Sequence, residues 1–170
     1  VAGSKHACAL RNDGAVLCWG ANRMGQLGNT ERAPLLRPTI VMRGITSLAT
    51  STYLTCGVTQ DKKLSCLGPG ARSLADVTNA IDVQIREGLG CVRYEGGKVD
   101  CWINRHALSG GLMKLDIQDT EDLVVGDVLA CAHTKKGARC FGYYADHDTA
   151  PRDLTDVVAF GTYGGDICVQ

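Results

Sequence analysis

The strongest constraint on the fold of this chain is a recurring pair of cysteines that brackets a short polar segment. The pairs are Cys8 and Cys18, Cys56 and Cys66, Cys91 and Cys101, and Cys131 and Cys140. Their first cysteines are 48, 35 and 40 residues apart, and Cys168 follows 37 residues after Cys131. A period between about 20 and 50 residues is typical of solenoids, propellers and arrays. We therefore interpret residues 1–170 as one repeat domain.

Each bracketed segment predicts a β-hairpin. Polar turn residues such as Asn12-Asp13-Gly14 lie at its centre, and short strand-like runs flank them. Folding the first segment about Asp13 places Cys8 opposite Cys18, at a Cα separation of about 4.5–5.5 Å that a disulfide spans. The fourth pair is one residue closer, which fits either a shorter turn or a β-bulge.

We expect a disulfide inside each of the four hairpins, between the cysteines paired above. Closing a loop of about 11 residues contributes about 3 kcal/mol to the free energy of unfolding in the chain-entropy description. The alternative is that the cysteines are reduced and fill small sites in the core. Cys168 has no later cysteine to pair with, so we expect either a free thiol or a bond to another chain.

Further strand-like segments precede the later hairpins and Cys168. They are rich in β-branched and apolar residues, and read GITSLAT, AIDVQI, EDLVVG and LTDVVAFG. Units of three or four short strands favour an all-β, propeller-type array over a sandwich. The predicted units are 1–44, 45–79, 80–119 and 120–152, followed by a partial fifth unit at 153–170.

The first 30 residues carry a more specific pattern, which consists of Gly3, His6, Gly14, Trp19-Gly20, Asn22 and Gly25-Gln26-Leu27-Gly28. This pattern resembles a repeat of the regulator of chromosome condensation family, whose fold is a β-propeller, usually of seven blades. In that motif Trp19 is expected to pack between neighbouring sheets. The cysteine-bearing form is similar to secreted or ectodomain members of the family. Later units keep the hairpin but lose Gly-Gln-Leu-Gly.

Four units and the start of a fifth are too few for a seven-bladed ring. We therefore expect a fragment, or one chain of a larger and cleaved propeller, with the remaining blades in a second chain. The alternative is a small complete ring, or an open arc in which the last segment completes the first blade.

The composition favours neither a nucleic acid nor a membrane as partner. Basic and acidic residues balance at 18 each, and no apolar run approaches the ~18 residues of a membrane helix. The four histidines have no zinc-ligand spacing, so neither a metal nor a cofactor is predicted.

No catalytic site is predicted either. His6 with Cys8 and His133 with Cys131 each lie two residues apart, on one face of a strand, where a nucleophile and a base could meet. Those cysteines are already assigned to disulfides, however. We expect His6 to be a turn residue whose ring nitrogen bonds the backbone.

Two segments are candidate contact loops. The segment 143–153 contains Tyr143, Tyr144 and His147, and the segment 104–115 contains Arg105. Loops on a rigid scaffold often carry binding residues, and tyrosine is enriched at interfaces. These four residues are the predicted partner contacts; the alternative is that both segments are solvated connectors.

The sequence thus predicts a non-enzymatic protein-binding propeller module that is secreted, extracellular or lumenal and presents its rim loops to a protein partner. The resemblance also implies an alternative, a guanine-nucleotide exchange factor for a small GTPase, which requires a reducing compartment. A further alternative is a secreted enzyme-inhibitory or lectin-like propeller, which needs a pocket with convergent polar groups.

Overall fold

The structure, a computed structural model, describes residues 1–103, 112–115 and 117–142, together with the backbone of 152–154, 160–163 and 166–169. These residues form sixteen β-strands and two short 3-10 helices. The helices, Ala71–Leu74 and Glu95–Gly97, contain four and three residues. No helix in the described part of the chain has the length and hydropathy needed to cross a membrane.

The strands form five antiparallel sheets, which we number 1 to 5 in chain order. Sheet 1 contains β1 (His6–Leu10), β2 (Val16–Gly20) and β3 (Leu35–Met42). Sheet 2 contains β4 (Ile45–Thr50), β5 (Thr55–Thr59) and β6 (Leu64–Leu67). Sheet 3 contains β7 (Ala80–Ile85), β8 (Leu89–Tyr94), β9 (Val99–Ile103) and β10 (Met113–Lys114). Sheet 4 contains β11 (Thr120–Val125), β12 (Leu129–Thr134), β13 (Gly137–Gly142) and β14 (Arg152–Leu154). Sheet 5 contains β15 (Phe160–Tyr163) and β16 (Asp166–Val169).

Successive sheets pack against one another as the blades of a propeller. In sheets 2 to 4 the strand before the cysteine hairpin forms one edge of the sheet, and these inner strands are β4, β7 and β11. Each inner strand lies beside the inner strand of the next sheet, and β11 lies beside β15. The prediction of an all-β, propeller-type array with four blades and the start of a fifth is confirmed. The predicted unit boundaries stay predictions.

The last segment does not complete the first blade. Among the described strands, β15 and β16 pair only with each other. β1 pairs with β2 and, through a bridge from Ala7 to Ala2, with the residues just before it. The alternative in which the C-terminal segment supplies a strand to sheet 1 is therefore wrong for these residues.

A disulfide joins the two strands of each hairpin in sheets 1 to 4. The bonded pairs are Cys8–Cys18, Cys56–Cys66, Cys91–Cys101 and Cys131–Cys140, with Cα separations of 4.0–4.1 Å. Each pair is directly opposed in the strand register. The predicted pairing is confirmed. The closer spacing of the fourth pair reflects a shorter turn, because Thr134 opposes Gly137 and the β12–β13 register has no shift.

The hydrophobic core lies between the sheets. One cluster joins sheets 1 and 2, a second joins sheets 2 and 3, and a third joins sheets 3 and 4. Cys91 and Cys101 lie in the cluster shared with sheet 4, whereas Trp102, the next residue along the strand, lies in the cluster shared with sheet 2. Alternation along β9 therefore sends the disulfide to the following sheet and the aromatic ring to the preceding one.

Gly90 makes room for the largest side chain of this core. It lies opposite Trp102 in the register of β8 and β9, and Trp102 is fully buried. A Cβ atom at position 90 would lie 2.3 Å from two carbons of the indole ring. Glycine is required here for close approach.

Candidate functional site

The meander places the connecting loops on two opposite faces of the array. The cysteine-hairpin turns, such as 60–63 and 95–98, lie on one face, which we call the hairpin face. The loops on either side of each hairpin, such as 51–54 and 86–88, emerge on the other, which we call the loop face. Loops on rigid sheets are where binding residues are usually found, so both faces are candidate interaction surfaces.

A polar cluster on the loop face connects three successive sheets. Ser4 precedes β1, Thr52 follows β4 and Glu87 follows β7. The Thr52 hydroxyl donates to Glu87 Oε1 at 2.5 Å, Ser4 Oγ lies 3.2 Å from the same oxygen, and the two hydroxyls contact each other. Ser4 and Glu87 are exposed, so the cluster offers an acceptor and two hydroxyls to a partner.

His6 lies beneath this cluster and bridges sheets 1 and 2. Its Nε2 atom is 3.0 Å from the Thr55 hydroxyl and its side chain is buried. In the described part of the chain, nothing forms a hydrogen bond with its Nδ1 atom. Burial lowers the pKa of His6, and the negative charge of Glu87 opposes that shift. The expectation of a turn residue bonded to the backbone is wrong, because the partner lies in the next sheet along the chain.

Buried amide side chains shape the Gly-Gln-Leu-Gly loop. Asn22 is fully buried, and its Oδ1 accepts the Leu27 N–H at 2.7 Å. Gln26 Oε1 accepts the Met24 N–H at 3.0 Å, and its Nε2 donates to the Thr52 carbonyl at 3.4 Å. These bonds attach the loop to sheet 2 and leave Met24 41% exposed on its surface.

Trp19 differs in burial from the equivalent residues of two later hairpins. Like Trp102 and Phe141 it directly follows the second cysteine of a hairpin. Trp102 and Phe141 are buried against the preceding sheet, whereas Trp19 is 37% exposed. Its face of sheet 1 has no preceding sheet in the described structure, so the expected packing of Trp19 between two sheets stays a prediction. Ile40, 39% exposed, lies opposite Leu17 on the neighbouring strand.

The predicted partner contacts Arg105, Tyr143, Tyr144 and His147 lie outside the described residues. The backbone of Cys168 lies in β16 opposite Gly161, and its predicted role as a free or inter-chain thiol stays a prediction.

The two cysteines that could act as nucleophiles have no free thiol in this structure. Cys8 and Cys131 are both disulfide-bonded. Among the described residues, no group of three or more His, Cys, Asp or Glu side chains is placed to hold a metal ion.

A groove of about 440 Å³ runs along the inner strands. Its walls are joined by hydrogen bonds between sheets. Ser47 donates to Asp82 at 2.7 Å, Gln84 Nε2 donates to the Leu123 carbonyl at 2.5 Å, and Arg86 Nε donates to the Val125 carbonyl at 3.3 Å. The last two bonds satisfy backbone acceptors at the edge of sheet 4.

Comparison with known proteins gives a family match over a short segment. Residues 1–26 match the family model of the regulator of chromosome condensation (RCC1) repeat. No curated protein matches the sequence.

Solved structures match along nearly the whole chain. Human WBSCR16 is 16% identical with a TM-score of 0.73, over 94% of this chain and 54% of that one. Yeast RCC1 (Prp20), in a structure with bound Kap60, is 15% identical with a TM-score of 0.72, over 98% and 52%. The ectodomain of the Arabidopsis thaliana receptor kinase ACR4 is 19% identical with a TM-score of 0.60, over 94% and 55%. The fold is therefore that of RCC1-like propellers, and the chain spans about half the length of these structures.

Proposed function

We propose that this RCC1-like propeller array is a non-enzymatic protein-binding module of an oxidising compartment. The observation that carries the proposal is the disulfide inside each of four successive sheets. Structural disulfides persist in secreted, extracellular or lumenal proteins and are rare where thiols are kept reduced. The ectodomain of a receptor kinase with the same fold supports this environment.

The proposed mechanism is presentation of loops on a rigid base. Disulfides hold the two strands of each hairpin together, and hydrogen bonds between Ser4, Thr52 and Glu87 order the loop face across three sheets. A surface that is already ordered loses little conformational entropy on binding. A structure of yeast Prp20 contains bound Kap60, and another concerns its binding to Gsp1p and histones, which supports protein binding as a use of this fold.

The state of the thiols in protein from its native source tests the proposed compartment. Alkylation under denaturing, non-reducing conditions, followed by mass spectrometry, counts the free thiols. With four disulfides among nine cysteines, we expect about one alkylated residue before reduction and all of them after it. Alkylation of every cysteine before reduction would contradict the proposal.

Site-specific crosslinking tests the proposed binding face. A photo-crosslinking residue is introduced at Thr52 or Glu87 on the loop face, and at exposed Lys135 on the hairpin face as the matched control. We expect one discrete protein adduct from the loop-face positions and a much lower yield from position 135. Equal yields at all three positions would show that binding does not depend on the loop face.

A guanine-nucleotide exchange factor for a small GTPase is the second candidate. The match of residues 1–26 to the RCC1 repeat and the fold shared with Prp20 favour it, whereas the disulfides favour an oxidising compartment. The candidate predicts faster release of a labelled guanine nucleotide from a small GTPase when the chain is added. No acceleration, together with protected cysteines, would exclude it.

We also propose that the remaining blades, carried by a second chain, cover the face of sheet 1 around Trp19. The exposure of Trp19 supports this, since its equivalents Trp102 and Phe141 are buried, and Ile40 on the neighbouring strand is exposed as well. Quenching of Trp19 fluorescence by iodide provides the test, with Trp19→Phe used to assign the signal. We expect strong quenching of this isolated chain and weak quenching of the complex from the native source. Equal quenching of both would contradict the proposal.

A further inference from the structure

A pocket of about 440 Å³ lies on the hairpin face, between sheets 2 and 3. Asp76 and Asn79, from the connection that leads into β7, form one wall. Tyr94, Lys98 and Asp100, from the hairpin of sheet 3, form the other. The pocket faces away from the loop face, so it is separate from the binding surface proposed above.

Asp100 is the unusual residue of this pocket. It is only 3% exposed, and its Oδ2 atom pairs with Lys98 Nζ at 2.9 Å. Its Oδ1 atom is buried and has no hydrogen-bond partner among the residues that the structure describes. A buried carboxylate ordinarily has its acceptor sites filled, so Asp100 retains the capacity to accept a further hydrogen bond.

Lys98 places a positive charge over an aromatic ring in the same pocket. Its Nζ atom lies 5.1 Å from the centre of the Tyr94 ring, and its side chain is 45% exposed. Burial, together with the charge of Asp100 and a hydrogen bond with its carboxylate, raises the pKa of Tyr94 well above its usual range. The phenol therefore stays neutral and its ring remains a surface on which a cation can stack.

We propose that this pocket binds the guanidinium group of an arginine side chain from a protein partner. An ammonium such as that of Lys98 pairs with one oxygen of Asp100, whereas the planar guanidinium donates two parallel hydrogen bonds and fills both. The same group stacks on the Tyr94 ring. Lys98 occupies this position in the free protein and leaves it when the arginine binds.

The charges around the pocket agree with a cationic ligand. Asp76, Glu95 and Asp100 line it, against two basic residues, Lys98 and Lys114. Lys98 is held by Asp100, and Glu95 forms an ion pair with Lys62 on the neighbouring hairpin. Once Lys98 moves away, the lining has a clear negative excess around the buried carboxylate.

Titration with a small probe tests the proposal. The probe is N-acetyl-arginine-N-methylamide, and the matched control is the citrulline analogue, which has nearly the same shape without the charge. Amide shifts in ¹H–¹⁵N spectra report binding. We expect shifts at pocket residues such as Tyr94 and Asp100 with the arginine probe, weakened by added salt, and none with citrulline. Equal shifts with both probes would overturn the proposal.

Two substitutions distinguish the proposal from general electrostatic attraction. Lys98→Met removes the competing ammonium, so we expect about tenfold tighter binding of the arginine probe. Lys63→Met replaces an exposed lysine of the neighbouring hairpin and should leave the affinity for the probe unchanged. Lys98→Met/Asp100→Asn should lose binding while its spectrum remains that of the folded protein. Unchanged or weaker binding by Lys98→Met would overturn the proposal.

If the double variant fails to fold, Lys98→Met/Tyr94→Leu replaces it, since that variant keeps the carboxylate and removes the ring. We expect Lys98→Met/Tyr94→Leu to bind the arginine probe more weakly than Lys98→Met does. Equal affinity of the two variants would contradict the role of Tyr94. None of these measurements uses the native partner or the loop face, so their outcome is independent of the proposed function.

Discussion

Trp19 and Trp102 occupy the same position in two repeat units, directly after the second cysteine of a hairpin, yet Trp102 is fully buried and Trp19 is 37% exposed. Both rings follow a disulfide cysteine that packs toward the next sheet, so by strand alternation they lie on the opposite face of their own sheet. Sheet 2 covers Trp102, and no described sheet covers Trp19. The same local sequence therefore gives a core residue in one unit and a surface residue in another.

This difference predicts unequal stability effects for the two tryptophans. Trp102→Ala should lower the free energy of unfolding by about 3–5 kcal/mol, because a large buried side chain is lost and a cavity remains. Trp19→Ala should cost about 1 kcal/mol or less, as partly exposed positions usually do. Urea denaturation of both variants measures the difference. Similar losses would show that Trp19 is buried in solution.

Removal of one disulfide should lower the free energy of unfolding by an amount set by the length of the loop that the disulfide closes. Cys91→Ala/Cys101→Ala should lower the free energy of unfolding by about 3 kcal/mol, because the unfolded chain regains the freedom of the opened loop. Denaturation under non-reducing conditions gives the value, and Cys168→Ser serves as the control without a predicted hairpin partner. A loss as large in the control would contradict the pairing.

The buried amide of Asn22 predicts a local effect on the Gly-Gln-Leu-Gly loop. Asn22→Ala removes the acceptor of the buried Leu27 N–H, and an unsatisfied buried donor costs about 1–3 kcal/mol. Asn29→Ala removes the acceptor of the Asn22 NH2 group but leaves the bond from Leu27 to Asn22 Oδ1, and is the matched comparison. Hydrogen exchange at the Leu27 amide should become faster in Asn22→Ala; unchanged protection would show that the bond does not hold the loop.

The environment of His6 predicts that stability falls in acid. Its folded pKa lies below the ordinary value of 6.5 because of burial, so the unfolded chain binds more protons between those two values. The contribution of His6 to the free energy of unfolding is therefore fully present above about pH 6.5, and it is lost as the pH falls through the folded pKa. Denaturation at pH 8 and pH 5 measures it.

His6→Gln should show a smaller loss of stability between pH 8 and pH 5 than the unsubstituted chain. A pH dependence that His6→Gln leaves unchanged would mean that other groups cause it.

The candidate sites were less accessible to sequence reasoning than the hairpins. His6 and Thr55 are 49 residues apart in the chain, and their contact depends on how sheet 1 packs on sheet 2. The pocket around Asp100 likewise combines residues from the connection after sheet 2 with residues of sheet 3. No local pattern marks such contacts, because each half of the site is an ordinary polar segment until the sheets come together.

The pairing within each hairpin followed from the sequence because it depends on local geometry. A separation of ten positions between the cysteines, with turn residues at the centre, leaves the strands one favoured register, and the opposed Cys56 and Cys66 illustrate it. Which face of a sheet is covered depends instead on the neighbouring unit. Only the tertiary structure decided that Trp102 is buried, that Trp19 is exposed and that one oxygen of Asp100 is unpaired among the described residues, because burial is a property of the assembled sheets and not of any one repeat.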